Sequence, residues 1–357
     1  MSTSNKFKDY YNETKEKLEQ KIKEFNKDII KDDAGLINNN LKQFSILNSD
    51  GKLVRGVLVN LGYYLLKDNK DYSLDLSLAY EVFQTAILVH DDIIDNDNTR
   101  RGKDTIHYVN YKEYIKYGEE AECKHLADST AICLGDYGLY KANQIIAESY
   151  SNDKNLARVL MNFNNTVLTT IRGEFIDTVL PFNVKHNLVN NKDIENNILE
   201  IYRLKTSHYT IIGPISVGLL LAGGEEEKIK DIEEFGTKVG IAFQIQDDIL
   251  GIYSNETGKV KGTDIKEFKQ TVLYSHIINT EYKDELMKYY GKNDISEENI
   301  VKVQELFKKS GSYEYAVNKM NSLYDDSLET LNNIKWIKED KKELLRGFVE
   351  YLRNRNK

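Results

Sequence analysis

Residues 74–95 read LDLSLAYEVFQTAILVHDDIID, a stretch that is apolar around most of a helix and ends in three aspartates. Residues 229–252, IKDIEEFGTKVGIAFQIQDDILGI, repeat the arrangement with the pair Asp247 and Asp248. Both stretches space their apolar residues by three and four positions, which is the period of a helix. Charges at the ends of buried helices are costly unless something compensates them. We therefore expect the chemistry of this protein at these two helix ends.

The remaining chain carries the same helical spacing, and the alternation typical of strands is nearly absent. Among 357 residues there are only 2 prolines and 21 glycines, so few positions would break a helix. No polar stretch is long enough to be a convincing linker between domains. The sequence predicts a single all-α domain over residues 1–357, with further helices in 18–25, 53–66, 131–146, 156–179 and 194–222.

Composition excludes several classes of protein. A net charge of −8 argues against a non-specific nucleic-acid binder, which would present a basic surface. The two cysteines, Cys123 and Cys133, cannot build a disulfide framework and do not have zinc-ligand spacing. Residues 1–23 are polar and mixed in charge, unlike a signal sequence, and residues 209–224 are short for a membrane span. The simplest location is the cytoplasm.

The first acidic cluster has the spacing of a metal site. Asp91 and Asp95 lie one helical turn apart on one face, whereas Asp92 points roughly 100° away. Oxygen-only ligands suit Mg²⁺, which tends to borrow further ligands from substrate phosphates. Arg100 and Arg101 follow closely and could bind diphosphate oxygens through directed hydrogen bonds.

A plainer interpretation is that these aspartates decorate a solvated helix end and pair with the two arginines. The apolar residues 86–89 directly before the aspartates weaken this interpretation, since a helix end that is merely solvated does not need a buried segment before it. The second cluster adds an independent argument, because Asp247 and Asp248 are again followed by lysines, Lys259 and Lys269. Two carboxylate walls facing one cavity could hold a trinuclear magnesium–diphosphate assembly.

These residues resemble the trans-isoprenyl diphosphate synthase family from about Asp50 to the C-terminus. The first cluster with its arginine pair looks like the family's first aspartate-rich motif, and residues 243–248 look like the second. Other segments match in the same order. They are Gly51-Lys52-Leu53-Val54-Arg55, Gly135-Asp136, Lys205-Thr206, Gly258-Lys259, Gly262-Thr263-Asp264, the segment 311–316 and the basic residue Arg355.

The resemblance implies an isoprenoid synthase fold, with ten or more mostly antiparallel helices around a central cavity and a homodimeric assembly. It also implies three Mg²⁺ ions per site, with Mn²⁺ as a substitute, and a role for each matched residue. The metal ligands would be Asp91, Asp95 and Asp247, supported by Asp92, Asp248 and Asp264. The allylic diphosphate would bind Arg100, Lys205, Lys259 and Lys269. Isopentenyl diphosphate would bind Lys52, Arg55, Gln84 and Arg101, while Thr206 and Gln244 would present oxygens to the allylic cation beside Lys205.

This sequence departs from the family pattern at several positions. Gly251 stands where many members have the third aspartate of the second motif. Leu53 and Gly56 replace the Arg and Pro of the common bacterial form and resemble the eukaryotic farnesyl-synthase style. Asp50 replaces a glycine, and Glu174 replaces the usual glutamine. The glycine at position 251 weakens the expectation of a metal ligand there more than it weakens the expectation of activity.

The family likeness implies that product length depends on residues below the first cluster. Ala86, five residues before Asp91, would lie roughly 7 Å down the helix, where a small side chain leaves space. Phe83 and Tyr80 come one and two turns deeper and are large enough to close the shaft. We predict a product of C20, geranylgeranyl diphosphate, or somewhat longer. The alternative is that both rings only pack against neighbouring helices.

Other functions remain open at this point. A farnesyl diphosphate synthase would share every motif. A class I terpene cyclase would also use the first motif, but it has no use for the second set of cations, and Ile252 stands where its second metal site needs a hydroxyl. A non-catalytic partner subunit of a prenyl synthase should have lost site residues. In a lipid-binding or scaffold protein, paired buried carboxylates would reduce stability without serving a function.

Overall fold

The computed structural model describes residues 3–31, 35, 37–253, 262–292 and 295–355. Its elements follow one another along the chain. They are α1 Thr3–Lys31, α2 Asn38–Asn48, α3 Val54–Tyr64, a 3₁₀ turn Lys70–Ser73, α4 Leu74–Ile94, β1 Thr99–Arg100, β2 Lys103–Asp104, α5 Ile106–Tyr114, α6 Glu120–Ser149, α7 Leu156–Lys185, α8 Asn191–Ile201, a π-helical segment Tyr202–Ile212, α9 Gly213–Leu221, α10 Glu226–Tyr253, α11 Thr263–Lys266, α12 Val272–Ile277, α13 Lys283–Leu286, α14 Glu297–Lys309, α15 Ser312–Asn333 and α16 Glu339–Arg353.

The described chain is helical almost throughout, which confirms the predicted all-α class. The helix expected over residues 74–94 is α4, and the one over 229–252 lies inside α10. Several other bounds differ from the prediction. α1 and α6 extend beyond the expected 18–25 and 131–146, and the stretch 194–222 is divided into α8, the π-helical segment and α9. α7 continues past residue 179 and through Pro181 to Lys185, and its last turns still carry the apolar Leu180, Phe182 and Val184.

The described residues group into two compact units. The first, here called the N-unit, comprises residues 9–163 and 214–225; the second, the C-unit, comprises residues 1–8, 164–213 and 226–357. In the N-unit α4 packs against α3 and α6, and most of α4 is buried. Gly62 of α3 and Gly218 of α9 let two backbones touch, because a side chain on either would collide with a main-chain carbonyl, that of Ile215 or Val59.

In the C-unit α10 packs against α15 and against the π-helical segment. Glycines make this contact close. A Cβ on Gly173 of α7 would lie 2.6 Å from the Lys205 amide nitrogen, and one on Gly240 of α10 would lie 2.3 Å from Ser207 Oγ. The wide turn is therefore held between two helices, and π-helical turns of this kind often occur at functional sites.

Two further expectations can be compared with the structure. Cys123 and Cys133 are both free. Among the helices of the described ranges, none combines the length and apolarity that a membrane crossing requires.

Candidate active site

The first aspartate cluster closes around Arg100. Arg100 Nη2 lies 3.0 Å from Asp91 Oδ2, and Arg100 Nε donates to Oδ1 of the buried Asp92. Asp97, which the sequence reasoning did not single out, adds a third carboxylate 3.9 Å from the same guanidinium. Asp95 is the C-cap of α4, and its amide donates to the Asp91 carbonyl at 2.8 Å.

Negative charge is in excess at this helix end. Burial raises the pKa of Asp92 to about 7; the Arg100 charge opposes the shift, and Asp91 and Asp97 add to it. One guanidinium therefore does not compensate these carboxylates. A hard divalent cation would, since oxygen donors are what Mg²⁺ prefers.

A tight hairpin determines the positions of Arg100 and Arg101. Strand β1 pairs antiparallel with β2, and the two residues between them, Arg101 and Gly102, have φ of 54° and 75°. Positive φ at both positions matches a two-residue type I′ turn, which Gly102 adopts without cost. The turn leaves Arg100 over the end of α4 and brings Arg101 beside Gly51, where Nη1 would lie 3.5 Å from an added Cβ.

The residues expected to bind isopentenyl diphosphate cluster in the N-unit. Glu81, buried in α4, accepts the Gly56 amide proton at 2.6 Å and lies near both Arg55 and Arg101. Burial lowers the pKa of Arg101. The negative charge of Asp50 opposes this shift, whereas the positive charges of Arg100 and Arg55 add to it. Cations that crowd one another in this way favour a bound anion.

A cavity beside the hairpin supports an anion at this place. Its volume is about 270 Å³, and it is lined among others by Asp50, Asp92, Arg100, Arg101 and Lys103. Carboxylates and arginines together are suited to a metal-bound diphosphate. The side-chain oxygen of Gln84 is buried without a hydrogen-bond partner in the described structure, but it is an acceptor and does not by itself favour an anion.

In the second cluster Asp248 is enclosed, and burial raises its pKa to about 6, against the opposing charge of Lys269. Gln244 Nε2 donates to Asp248 Oδ1 at 3.0 Å, Lys269 Nζ lies 3.3 Å from the same oxygen, and Tyr202 donates its hydroxyl to Oδ2. Asp248 therefore fixes its neighbours in place and has little surface left for a metal.

Asp247 is the outward member of the pair. Its side chain is 40% exposed, whereas that of Asp248 is 2% exposed. Arg355, close to the C-terminus, donates to Asp247 Oδ1 and lies over the Phe243 ring. Of the two, Asp247 is the carboxylate that an incoming cation could reach.

The departure at Gly251 has a structural reason. A Cβ on Gly251 would lie 2.6 Å from Asp264 Oδ2. The carboxylate of Asp264 thus occupies the space that a third aspartate of the second motif would need. Lys269 Nζ lies 3.8 Å from Asp264, and Asp264, Asp248 and Asp177 outweigh the effect of burial and raise the pKa of Lys269.

The Lys-Thr pair sits in the π-helical segment. Lys205 Nζ lies 2.7 Å from Glu174 and 2.8 Å from Asp177, both on α7. Thr206 donates its hydroxyl to Gln244 Oε1 at 2.7 Å. Because the hydroxyl hydrogen is engaged, the lone pairs of the Thr206 oxygen point elsewhere and can face positive charge.

The expected chain-length residues are all enclosed in the N-unit core. Tyr80 and Phe83 pack edge to face around Phe163, with ring centroids 5.3 Å from Phe163 in each case. Ala86 is buried, and a Cβ on Gly138 would lie 2.8 Å from both Ala86 Cβ and the Phe44 ring. Ala86 thus packs closely against α6, and the role of these three residues in product length stays a prediction.

Each aspartate cluster belongs to a different unit and is described by itself. Within the described ranges, no three Asp, Glu, His or Cys side chains are already gathered around one point as metal ligands. In both clusters a cation from the chain, Arg100 or Arg355, binds the carboxylates instead. The donor set nevertheless fits Mg²⁺ because it is all oxygen and exceeds the cations beside it. Lys259 lies outside the described residues.

Sequence reasoning missed several residues that shape the site. Two of them could have been found from their helical spacing to residues that the sequence did single out. Tyr202 lies three residues before Lys205, and Asp177 lies three after Glu174. Nothing in the sequence pointed to His90. Its ring fills the space above Gly135, with Nε2 3.1 Å from the Ile132 carbonyl and 3.5 Å from Asp136.

Comparison with known proteins agrees with this geometry. Residues 38–307 match the family described as polyprenyl synthetase. The chain is 27% identical to the geranylgeranyl diphosphate synthase of Sulfolobus acidocaldarius, covering 88% of this chain and 90% of that one. It is 30% identical to farnesyl pyrophosphate synthase 1 of Parthenium argentatum, covering 72% of each.

A solved structure is also similar. The geranylgeranyl pyrophosphate synthase of Corynebacterium glutamicum, complexed with isoprenyl diphosphate and magnesium, matches with a TM-score of 0.84 and 25% identity over 97% of this chain and 98% of that one. This confirms the predicted isoprenoid synthase fold. Since the family match covers most of the chain, the protein belongs to the polyprenyl synthetase, or trans-isoprenyl diphosphate synthase, family and is a prenyltransferase.

Proposed function

We propose that this prenyltransferase joins isopentenyl diphosphate head to tail to an allylic diphosphate, with E configuration and with magnesium. The observation that carries the proposal is that the chain provides cations for two diphosphates. Arg55 and Arg101 crowd together in the N-unit, while Lys205 and Lys269 lie among carboxylates in the C-unit. A reaction between two diphosphates needs both sets.

The metal ligands in this proposal are Asp91, Asp95 and Asp247, with Asp92, Asp248 and Asp264 in supporting positions. When bound, magnesium neutralises the charge that develops on the leaving diphosphate. We propose three ions per site, as the resemblance implies, and expect Mn²⁺ to substitute. The magnesium in the Corynebacterium glutamicum structure supports the choice of metal.

The lysines of the C-unit bind the allylic diphosphate. Lys205 is held by Glu174 and Asp177, and Lys269 by Asp248 and Asp264, so both stay charged and oriented until a diphosphate competes for them. Lys259 completes the set in the proposal. Fixed cations of this kind stabilise developing charge without reorganising during the reaction.

The bond changes balance within the two substrates. The bond between C1 of the allylic substrate and its diphosphate breaks, and both electrons leave with the diphosphate. The double bond of isopentenyl diphosphate attacks C1 and forms the new carbon–carbon bond. A proton then leaves the new cation for the departing diphosphate and restores a double bond. No protein nucleophile takes part.

Thr206 and Gln244 stabilise the allylic cation. The Gln244 amide is oriented by its bond to Asp248, and the Thr206 hydroxyl by its bond to Gln244. Their oxygens carry partial negative charge in fixed positions, which favours a carbon cation nearby.

The product proposed is geranylgeranyl diphosphate or a somewhat longer chain. The small Ala86 and the large Phe83 and Tyr80 beneath it support this length, as does the name of the Sulfolobus acidocaldarius relative. Farnesyl diphosphate is the second candidate, favoured by the name of the Parthenium argentatum relative.

The purified protein should be assayed with labelled isopentenyl diphosphate, Mg²⁺ and, in turn, dimethylallyl, geranyl or farnesyl diphosphate. The proposal expects label in a chain five carbons longer than the primer, ending at C20 or just beyond. A terpene cyclase would instead release hydrocarbon from the primer alone, and a partner subunit would consume neither substrate. Either result would contradict the proposal.

We also propose a homodimer, formed through an apolar stripe on α7. Leu168, Ile171, Phe175, Val179 and Phe182 recur at three- and four-residue spacing and are all exposed. Exposed apolar stripes of this length usually mark an interface. Light scattering should show a dimer that Phe175→Glu dissociates. Val301→Glu, a change at an exposed apolar residue of α14, is the control that should leave the dimer intact.

A further inference from the structure

The segment before α3 contains a strained residue. Leu53, the N-cap of α3, has φ 53° and ψ 29°, in the left-handed region. That conformation is strained for an L-residue with a side chain and persists only where the surroundings fix it. Leu53 is buried and separates Lys52 from Arg55, both of which the proposed function assigns to isopentenyl diphosphate.

Helix α1 supplies a contact that fixes this turn. The hydroxyl of Tyr11, which is buried, donates a hydrogen bond to the main-chain carbonyl of Lys52. That carbonyl belongs to the peptide group between Lys52 and Leu53. Its direction therefore sets the φ of Leu53 and the direction in which the Lys52 side chain leaves the backbone.

The other end of the segment is held as well. A Cβ on Gly56 would lie 2.4 Å from Leu18 Cδ2 of α1 and 3.1 Å from Glu81 Oε1 of α4. The Gly56 amide donates to that Glu81 oxygen at 2.6 Å. Helices α1 and α4 thus contact the segment from two sides, and a side chain at position 56 would have to displace Leu18.

We propose that Tyr11 is a positioning residue for isopentenyl diphosphate, acting through the Lys52 carbonyl to aim the Lys52 ammonium. This inference rests on the proposed function of Lys52. Helix α1 precedes residue 38, where the family match begins, so the match itself assigns Tyr11 no role.

The test is Tyr11→Phe, which removes one hydroxyl and keeps the ring. A hydrogen bond of this kind contributes about 0.5–1.5 kcal/mol, or roughly twofold to twelvefold in an equilibrium constant. We expect KM for isopentenyl diphosphate to rise about fivefold, while kcat and KM for the allylic primer stay within about twofold. A merely structural role would affect both substrates.

Tyr10→Phe is the matched control. Tyr10 neighbours Tyr11 on the same helix, is also buried, and donates its hydroxyl to Asn60 Oδ1 at 2.5 Å, away from the Lys52 carbonyl. It should lose similar stability in a thermal melt and leave both KM values unchanged. Equal changes of KM in the two variants would overturn the proposal.

Lys52→Ala, alone and combined with Tyr11→Phe, separates this inference from the proposed function. We expect Lys52→Ala to weaken isopentenyl diphosphate binding, and Tyr11→Phe to add less than about twofold to it, because the two act through one group. If Lys52→Ala raises KM and Tyr11→Phe does not, the inference is wrong and the proposed function stands. If Lys52→Ala leaves KM unchanged, the proposed role of Lys52 is wrong and the inference falls with it.

Discussion

Arg355 binds Asp247, donating a hydrogen bond from Nη2 to Oδ1 while its guanidinium carbon lies 4.2 Å from the centroid of the Phe243 ring. Asp247, the more exposed aspartate of its pair, is therefore already paired with a cation of the chain. Arg100 does the same to Asp91 and Asp92. If magnesium binds as proposed, it competes with an arginine in either cluster.

Arg355→Ala should lower the Mg²⁺ concentration for half-maximal activity by up to about fivefold, because a partly exposed ion pair is worth roughly 0.2–1 kcal/mol. The measurement is a magnesium titration of initial rate at saturating substrates. Arg353→Ala is the control, since Arg353 pairs with Asp325 at 2.7 Å and not with the aspartate motif. An unchanged or higher magnesium requirement in Arg355→Ala would contradict the competition.

Gly251→Ala should reduce kcat/KM for the allylic primer by about tenfold, a loss of roughly 1.4 kcal/mol. The new methyl group would push on Asp264, which lies 2.6 Å from its position and 3.8 Å from Lys269. Asp264→Asn serves for comparison and should affect the same parameter. If Gly251→Ala keeps the wild-type rate while Asp264→Asn does not, the close contact has no functional weight.

His208 should contribute a loss of stability in mild acid, which the raised pKa values of Asp92 and Asp248 oppose. Burial lowers its pKa to about 4, and the neighbouring Arg203 charge contributes. In the unfolded chain the pKa is about 6.5, so the unfolded state binds the extra proton as pH drops below that value. The free energy of unfolding should therefore decline between about pH 6.5 and 4, by up to ~3 kcal/mol from this group.

Urea unfolding at pH 7 and pH 4.5 measures this change. Between pH 7 and pH 4.5, His208→Gln should change in free energy of unfolding more favourably than wild type by up to ~3 kcal/mol, whereas replacement of the exposed His125 by Gln should change as wild type does. The same change in His208→Gln and wild type would contradict the contribution of His208.

Phe83→Leu should lengthen the product by at least one isoprene unit if the ring closes the shaft. The change opens a gap between Tyr80 and Phe163, whose rings now pack on Phe83. Phe307→Leu, at a buried ring in α14, controls for general loosening of the core. Chromatography of the extracted products measures their chain length. An unchanged distribution of chain lengths in Phe83→Leu would show that the Phe83 ring contributes only to packing.

Ala86→Phe should shorten the product, but at a cost in stability. Ala86 packs against Gly138 of α6, so a ring overfills the contact, and overpacking typically costs about 1–3 kcal/mol. Thermal melts should be recorded together with product length. A folded Ala86→Phe enzyme with the wild-type product would remove Ala86 from the account.

Much of the fold was readable from the sequence because its signals are local. The apolar period placed α4 at the bounds it has in the structure, and the aspartates marked where it ends. The arginine pair could also be placed near that end, because Gly102 follows it directly. These inferences needed only residues a few positions apart.

The remaining features depend on residues far apart in sequence. The π-helical turn around Lys205 is held by Gly173 and Gly240, which belong to other helices. Likewise the sequence showed that Gly251 lacks a carboxylate, but not that Asp264 fills its space. Nor could it show that Asp248 is enclosed while Asp247 is exposed, since two adjacent aspartates look alike until their neighbours are known.

The proposed function requires both Asp91 and Asp247 for magnesium-dependent binding of the allylic diphosphate. Calorimetric titration of an unreactive allylic diphosphate analogue in the presence of Mg²⁺ tests it directly, using wild type, Asp91→Asn and Asp247→Asn. The account predicts that each single substitution weakens binding at least tenfold, and that chelation of Mg²⁺ abolishes it. Wild-type affinity in either variant would contradict the claim.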